Sequence, residues 1–184
     1  PSYGAAGAPF DFARDKATFR RLLEDSVRAE ASAGATGAFL SGGTDSSTVA
    51  GMLGHVTGAP ATTYSIGFDV PGFDEMSYTR IVAGHFGTRH HEYYVTPDDL
   101  VRNIPAVATA YDQPFGNSSA LPAYYCARLA QADGVTRILG GDGGDELFGG
   151  NSRYAKQKIF DAYGRAPSWV RKGLVEPLLL GWTI

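Results

Sequence analysis

The segment Ser41-Gly42-Gly43-Thr44-Asp45-Ser46-Ser47 combines glycines, hydroxyl side chains and one carboxylate in a pattern suited to binding phosphate groups. Glycines let a backbone turn sharply and approach a ligand closely. Ser46 and Ser47 stand at the start of a predicted helix, whose first N–H groups lack partners within the helix. These N–H groups, the helix dipole and the serine hydroxyls all favour an anion. This first glycine segment (Ser41–Ser47) is therefore predicted to cradle phosphate groups.

Asp45 stands inside the first glycine segment, where its negative charge would repel bound phosphates. A divalent cation removes this repulsion, and Mg²⁺ binds proteins through one or two carboxylates together with phosphate oxygens. We therefore expect Mg²⁺ to accompany the ligand. A structural alternative stays open, because a Gly-Gly turn followed by an ordinary helix cap would carry much the same residue types.

Two familiar phosphate-binding motifs do not occur in the first glycine segment. Residues Thr44 to Thr48 include no lysine, which a loop ending in Gly-Lys-Ser or Gly-Lys-Thr requires. The spacing Gly-x-Gly-x-x-Gly of dinucleotide-binding folds is absent from the same turn. The sequence therefore favours neither kinase-like nucleotide hydrolases nor dinucleotide-dependent enzymes.

Strand-like and helix-like stretches alternate along the chain. The predicted strands are Thr36–Leu40, Thr62–Phe68, His90–Val95 and Thr136–Leu139, and the predicted helices are Asp15–Ala31, Ser46–Val56, Asp74–Phe86, Pro97–Ala110 and Ala120–Ala132. Thr96 is the predicted cap of the fourth helix. The alternation predicts an α/β fold, an open and mostly parallel twisted sheet with helices on both faces. Ligands of such sheets bind beyond the carboxyl ends of the strands. The first glycine segment and a second one (Gly140–Glu146) both fall there.

Several stretches resemble one family of enzymes. Gly37–Ser47 resembles the pyrophosphate loop of the N-type ATP pyrophosphatases, which cleave ATP to AMP and pyrophosphate. Ile138–Gly150 is similar to the second motif of one branch, the glutamine-hydrolysing asparagine synthetases. Asp112–Pro122 resembles the substrate-side loop of that branch, and Ser65–Phe68 the strand end on its adenine side. The resemblance covers most of the chain, from about Phe19 to Tyr154, and implies an adenine nucleotide alpha hydrolase-like fold.

The resemblance implies a role for each matching position. It places Leu40, Ile66, Gly140 and Gly141 around adenosine, Ser41, Gly42, Gly43, Ser46 and Ser47 around the phosphates, and Asp45 and Asp145 at Mg²⁺. Two positions depart from the family pattern, since Gly140 stands where a serine is usual and Asp142 where a glutamate is usual. In the family that glutamate helps ammonia attack the acyl-adenylate, so Asp142 is the candidate catalytic residue. The catalytic lysine and the glutaminase domain of the family are expected outside residues 1–184.

The implied reaction is ATP-dependent amide formation. A carboxylate, aspartate by analogy, takes up the adenylyl group of ATP with release of pyrophosphate, and ammonia then displaces AMP. Asp142 leaves open a related adenylating enzyme for another acid, of the β-lactam-forming or peptide-cyclising type. A non-catalytic nucleotide-binding module is the other alternative, because the lysine is missing from residues 1–184. We expect these residues alone to have little or no activity.

The composition and net charge of the chain limit the kinds of partner that the sequence predicts. A net charge of −3 and a pI near 5.8 provide no global attraction for nucleic acid. The apolar end Leu174–Ile184 is far shorter than the roughly 20 residues that a bilayer span needs, and we interpret it as a helix that continues beyond residue 184. No membrane or nucleic-acid partner is therefore predicted, and a homodimer is left open. Residues 1–14 are interpreted as a linker, and 15–184 as one ATP-pyrophosphatase domain that is incomplete at its C-terminal end.

Cysteine and histidine side chains indicate structure rather than chemistry. The single cysteine, Cys126, lies in a predicted helix among apolar residues, which is typical of an inert buried thiol. One cysteine forms no internal disulfide, and a cytoplasmic setting is expected. His90 and His91 are neighbours on a predicted strand and should point to opposite faces, which disfavours a shared metal site.

Overall fold

The computed structural model describes residues 11–31, 34–70, 74–113, 119–148, 159–160 and 163–177. Its helices are α1 (Phe12–Ala31), α2 (Thr44–Thr57), α3 (Met76–Phe86), α4 (Pro97–Ala110), α5 (Ala120–Ala132), α6 (Gly144–Phe148) and α7 (Ser168–Val170), and a π-helical turn (Arg171–Val175) follows α7. Its strands are β1 (Thr36–Phe39), β2 (Thr62–Phe68), β3 (Arg89–Val95) and β4 (Arg137–Leu139). The chain divides into two compact units, Pro1–Asp142 and Gly143–Ile184, and the sheet belongs to the first.

The four strands form one parallel sheet in the order β3-β2-β1-β4. Ala38 of β1 lies beside Thr63 of β2 on one side and beside Leu139 of β4 on the other. The predicted α/β fold with a parallel sheet is confirmed. Because β1 and β4 are neighbours and run in the same direction, the two glycine segments leave the sheet at the same edge.

Helices cover both faces of the sheet. On one face, α1, α2 and α3 pack through the buried side chains Val27, Ala38, Leu40, Ala50, Leu53, Ala61 and Ala83. On the other face, α5 packs against β2 through Tyr64, Cys126 and Ala130, and α4 lies against α5. Because helices cover both faces, burial along β2 is nearly continuous, and it includes the polar side chains of Thr63 and Ser65.

The start of α2 differs from the prediction in a way that matters for chemistry. The helix begins at Thr44 rather than at Ser46, because the carbonyl of Gly43 accepts the first helical hydrogen bond from Ser47 N at 3.1 Å. Gly43 is the N-cap in an extended conformation. Asp45 therefore lies in the first turn of the helix and not in the turn before it.

A second helix boundary also differs from the prediction. Asp74 was expected to begin α3, but the helix begins at Met76. The Asp74 carboxylate accepts hydrogen bonds from Met76 N at 3.3 Å and from Tyr94 Oη at 3.2 Å, so Asp74 stands outside the helix. The start of α4 is as predicted, since the Thr96 hydroxyl and the Asp99 carboxylate form a capping box by accepting from each other's backbone N–H groups.

The helices nearest the two ends of the chain differ from the predicted ones in their bounds. The first helix begins at Phe12 rather than at Asp15, because the Asp11 carboxylate accepts a hydrogen bond from Arg14 N at 3.0 Å and caps it. The predicted terminal helix falls mostly on residues 178–184, which lie outside the described residues, while 176–177 are helical. Within the described part of the chain, no helix has both the length and the apolar character needed to cross a lipid bilayer.

Cys126 is buried on α5, as the sequence predicts. Burial raises the pKa of its thiol to about 12. At neutral pH the group therefore stays protonated, and a protonated thiol is a poor nucleophile. Its role is packing.

The two adjacent histidines of β3 face opposite sides of the sheet, as predicted. His90 Nδ1 lies 2.9 Å from Thr63 Oγ1, whereas His91 Nδ1 lies 3.1 Å from a carboxylate oxygen of Asp133, just beyond α5. Among the residues that the structure describes, no three His, Cys, Asp or Glu side chains are grouped to hold a metal ion. Each histidine therefore contacts residues on its own face of the sheet.

His90 makes the stability of the fold depend on pH. Burial is the main cause that lowers the pKa of His90 below its usual 6.5, with nearby His91 and Arg80 acting in the same direction and Glu92 opposing them. Because the folded state resists protonation, the unfolded chain binds more protons at acidic pH. The free energy of unfolding should therefore be at its full value above 6.5 and fall as the pH falls through 6.5.

Urea unfolding at about pH 7.5 and about pH 5.5 measures this loss. His90→Gln should reduce the difference between the two pH values. His85→Gln changes an exposed histidine on α3 and serves as the matched control, which should keep the parent's difference. An unchanged pH dependence in His90→Gln would contradict the prediction.

Candidate functional site

Leu40 anchors the first glycine segment to the sheet. Its backbone N–H donates to Tyr64 O at 3.0 Å, and the Ser65 hydroxyl donates to Leu40 O. The Leu40 side chain is 2% exposed and packs in the core on the α2 side, so only its backbone remains for a ligand. Ile66, the other predicted adenosine neighbour, packs on the α5 side, and the structure does not bring these two side chains together.

The Ser46 hydroxyl holds the shape of the first glycine segment. It accepts a hydrogen bond from Ser41 N at 3.1 Å, lies 2.8 Å from Ser41 Oγ and donates to Gly43 O at 3.3 Å. Ser46 is buried, while Ser41 is exposed. The Ser47 hydroxyl donates to the same Gly43 carbonyl at 2.6 Å. Of the predicted phosphate-binding serines, Ser46 is thus the one engaged most fully inside the protein.

Gly42 brings the first glycine segment against α3. Its φ is 79°, in the left-handed region that favours glycine. A Cβ there would lie 2.6 Å from Tyr78 Cβ and 3.0 Å from Thr79 N. Thr79 is buried, and its hydroxyl donates to Met76 O at 2.9 Å within the first turn of α3. Sequence reasoning missed Tyr78 and Thr79, because nothing in their type or spacing relates them to the distant glycine they contact.

Gly141 brings the second glycine segment against the first. A Cβ on Gly141 would lie 2.7 Å from Ser46 N and 2.8 Å from both Asp45 C and Asp45 Cβ. The backbone that follows β4 therefore touches the first turn of α2, and only glycine permits this approach. The structure thus brings together Gly141, Asp45 and Ser46, which the sequence assigns to adenosine, Mg²⁺ and phosphate respectively.

Asp142 lies next to the same contact, and its side chain turns back over Gly140. A Cβ on Gly140 would lie 2.7 Å from Asp142 Oδ2.

Asp145, the other predicted magnesium ligand, lies on α6 in the second compact unit. Gly149 and Gly150 of the second motif and residues 114–118 of the substrate-side loop lie outside the described residues.

The N-terminus of α2 supplies the positive potential of the site. Gly43 at the N-cap has no side chain to accept hydrogen bonds from the first-turn N–H groups, and a helix start without such a cap favours an anion. The Asp45 carboxylate lies in this same turn and is half-buried. One carboxylate beside anion-binding N–H groups is a donor set that fits Mg²⁺, provided phosphate oxygens supply further ligands.

Comparison with known proteins identifies a family and several relatives. The family model for asparagine synthase matches residues 18–182. A protein of Methanocaldococcus jannaschii, provisionally named glutamine-hydrolysing asparagine synthetase 2, is 39% identical over 83% of the chain. Glutamine-hydrolysing asparagine synthetase 1 of Bacillus subtilis is 32% identical over 76%, and asparagine synthetase B of Escherichia coli is 30% identical over 76%. The matches span 30%, 22% and 28% of these relatives' lengths.

Gly42→Ala tests the contact between the first glycine segment and α3. The substitution should lower the free energy of unfolding by about 1–3 kcal/mol, because alanine is strained at a positive φ and its methyl group meets Tyr78. Gly43→Ala is the matched control: Gly43 has φ −73° and ψ 162°, and the atom nearest to its added Cβ is Ser41 Oγ at 3.4 Å.

Urea unfolding should show a loss below about 1 kcal/mol for this control, since alanine is only a poorer N-cap there. Equal losses in the two variants would show that Gly42 is not confined by α3.

Proposed function

The chain belongs to the asparagine synthase family, and on that basis we propose that it binds ATP with Mg²⁺ and takes part in ATP-dependent amide formation. The observation that supports this most directly is the contact of Gly141 with Asp45 and Ser46. It joins the second glycine segment, whose motif resembles one that is distinctive of this family, to a turn that we predict to bind phosphate.

The phosphates of ATP bind at the N-terminus of α2 in this proposal. Their oxygens accept hydrogen bonds from the first-turn N–H groups and from the exposed hydroxyl of Ser41. Ser46 acts as the internal brace that keeps these donors in place. The helix dipole contributes about 0.3–1 kcal/mol for each nearby charge. Adenosine lies towards Ile66, Gly140 and the backbone of Leu40.

Asp45 would hold Mg²⁺ through its carboxylate. The bound ion would supply positive charge that offsets the repulsion between this carboxylate and the polyphosphate and favours departure of pyrophosphate. The role of Asp145 at the same ion stays a prediction.

The proposed reaction has two chemical steps, and in each of them one bond forms while another breaks. A carboxylate oxygen of the acid, which we propose to be aspartate, attacks the α-phosphorus of ATP, and the bond to the β-phosphate bridge breaks. Pyrophosphate leaves, stabilised by the N–H groups at the start of α2. Ammonia then attacks the acyl carbon, the bond from that carbon to the phosphate oxygen breaks, and AMP departs. The Asp142 carboxylate accepts the proton that the nitrogen loses.

The names of the relatives indicate that glutamine is the source of ammonia in those proteins. They describe glutamine-hydrolysing enzymes, and we propose that a glutaminase domain of the intact protein supplies ammonia to this site. The expected cytoplasmic setting and a homodimer stay predictions.

Pyrophosphate release tests the reaction. The intact protein, supplied with MgATP, ammonia and a panel of amino-acid and other carboxylates, should release pyrophosphate with aspartate and form asparagine and AMP in equal amounts. Release with other acids but not with aspartate would instead identify a related adenylating enzyme. Absence of both nucleotide binding and pyrophosphate release would contradict the proposal.

Asp45→Asn tests the magnesium site. Calorimetry should show MgATP binding weakened by about tenfold or more, because the amide keeps the size of the side chain but loses its charge; tenfold corresponds to about 1.4 kcal/mol. Asp98→Asn removes an exposed carboxylate from the first turn of α4 and is the matched control, with no expected change. Equal affinity in Asp45→Asn and the parent protein would rule out Asp45 as a ligand.

A further inference from the structure

The position of the Asp142 carboxylate depends on the absence of a side chain at residue 140. A Cβ on Gly140 would lie 2.7 Å from Asp142 Oδ2 and 3.7 Å from Asp142 Cγ, and Cβ atoms essentially never come within 3.0 Å of such neighbours. The carboxylate therefore occupies space that any other residue at position 140 would fill. The ring of Phe39, at the end of β1, is the other neighbour, at 3.7 Å.

The two adjacent glycines are confined by different kinds of atoms. The obstacles at Gly141 are backbone atoms of α2, among them Ser46 N at 2.7 Å, and these move only if the helix moves. At Gly140, among the residues that the structure describes and apart from its chain neighbours, the one atom closer than 3.7 Å belongs to the end of the Asp142 side chain, which can rotate away. A side chain at position 140 would thus displace the carboxylate and leave the fold in place.

This contact links the two departures from the family pattern. Glycine replaces serine at position 140, and aspartate replaces glutamate at position 142. A serine at position 140 would collide with the Asp142 carboxylate where the structure places it. Either replacement alone would change where the carboxylate sits, so the two form one physical unit.

We propose that Gly140 is a positioning residue that places the Asp142 carboxylate at the end of β4 for the attack of the amine on the acyl-adenylate. The inference rests on the proposed function above. In that step the nitrogen forms a bond to the acyl carbon, the bond from that carbon to the phosphate oxygen breaks, and AMP takes the electron pair. The nitrogen's proton passes to Asp142, so displacing this carboxylate impairs amide formation but not adenylation.

The test separates the two half-reactions in the intact protein at saturating ATP. Pyrophosphate release reports adenylation, and amide formed per pyrophosphate reports the amine step, since an adenylate that misses the amine is lost to water. Because Gly140 also borders the proposed adenosine site, the readout for Gly140→Ser is the amide formed per pyrophosphate and not the rate of pyrophosphate release. Amide per pyrophosphate should fall by about tenfold or more, which is less than the roughly 10²–10⁴-fold contribution of a general acid or base, because the substitution displaces the Asp142 carboxylate and does not remove it.

A double variant tests whether Gly140→Ser acts by displacing the Asp142 carboxylate or by a general loss of function at the site. Gly140→Ser combined with Asp142→Glu restores the serine–glutamate pair of the family, and it should recover most of the amide yield that Gly140→Ser loses. Gly84→Ser is the matched control on α3, where a Cβ meets no atom of the described residues within 4 Å, and it should resemble the parent. The urea midpoint of Gly140→Ser should also resemble that of the parent.

Three results would overturn the inference: an unchanged amide yield in Gly140→Ser, losses that simply add in the double variant, or a large drop in the urea midpoint of Gly140→Ser. A parent protein that releases no pyrophosphate with any acid would overturn the proposed function itself, and this inference with it. Release by the parent with an unaffected Gly140→Ser variant overturns only the inference.

Discussion

The hydrogen bonds between β1 and β4 are the constraint on which the candidate site depends. They set Ala38 beside Leu139, so the two strands end at the same level and the segments that follow them leave the sheet side by side. A shift of one residue in this register would turn every side chain of β4 to the opposite face. On the other side of β1, β2 holds Leu40 through backbone and hydroxyl hydrogen bonds, which gives the first glycine segment a fixed origin.

Close backbone contacts then do most of the positioning. Gly42 lies against α3 and Gly141 against α2, and in both cases the missing Cβ is what allows the approach. At Gly42 the contact is formed by Tyr78 Cβ and by the backbone of Tyr78 and Thr79 at the start of α3. This division explains why glycines are concentrated at the carboxyl ends of β1 and β4.

Much of the fold was predictable because it follows from local patterns. Alternating strands and helices indicated the parallel sheet, and the Thr96 cap was predicted from residues within one turn, whereas the reciprocal hydrogen bond of Asp99 was not. The start of α2 was misplaced because Gly43, rather than a serine, receives the first helical hydrogen bond. Contacts between distant residues, such as Gly42 with Tyr78, have no signature in spacing. The turn of Asp142 over Gly140 was equally inaccessible, since it depends on side-chain torsion angles.

The hydrogen bonds of Ser46 also bear on how a ligand is received. Because Ser46 ties Ser41 and Gly43 together, the first glycine segment acquires its shape when the chain folds. Much of the conformational entropy of ordering that segment is therefore lost at folding rather than at association. A ligand of the proposed kind would meet a segment whose shape is already set, so its association rate would depend on diffusion and charge, and its residence time on the contacts it forms.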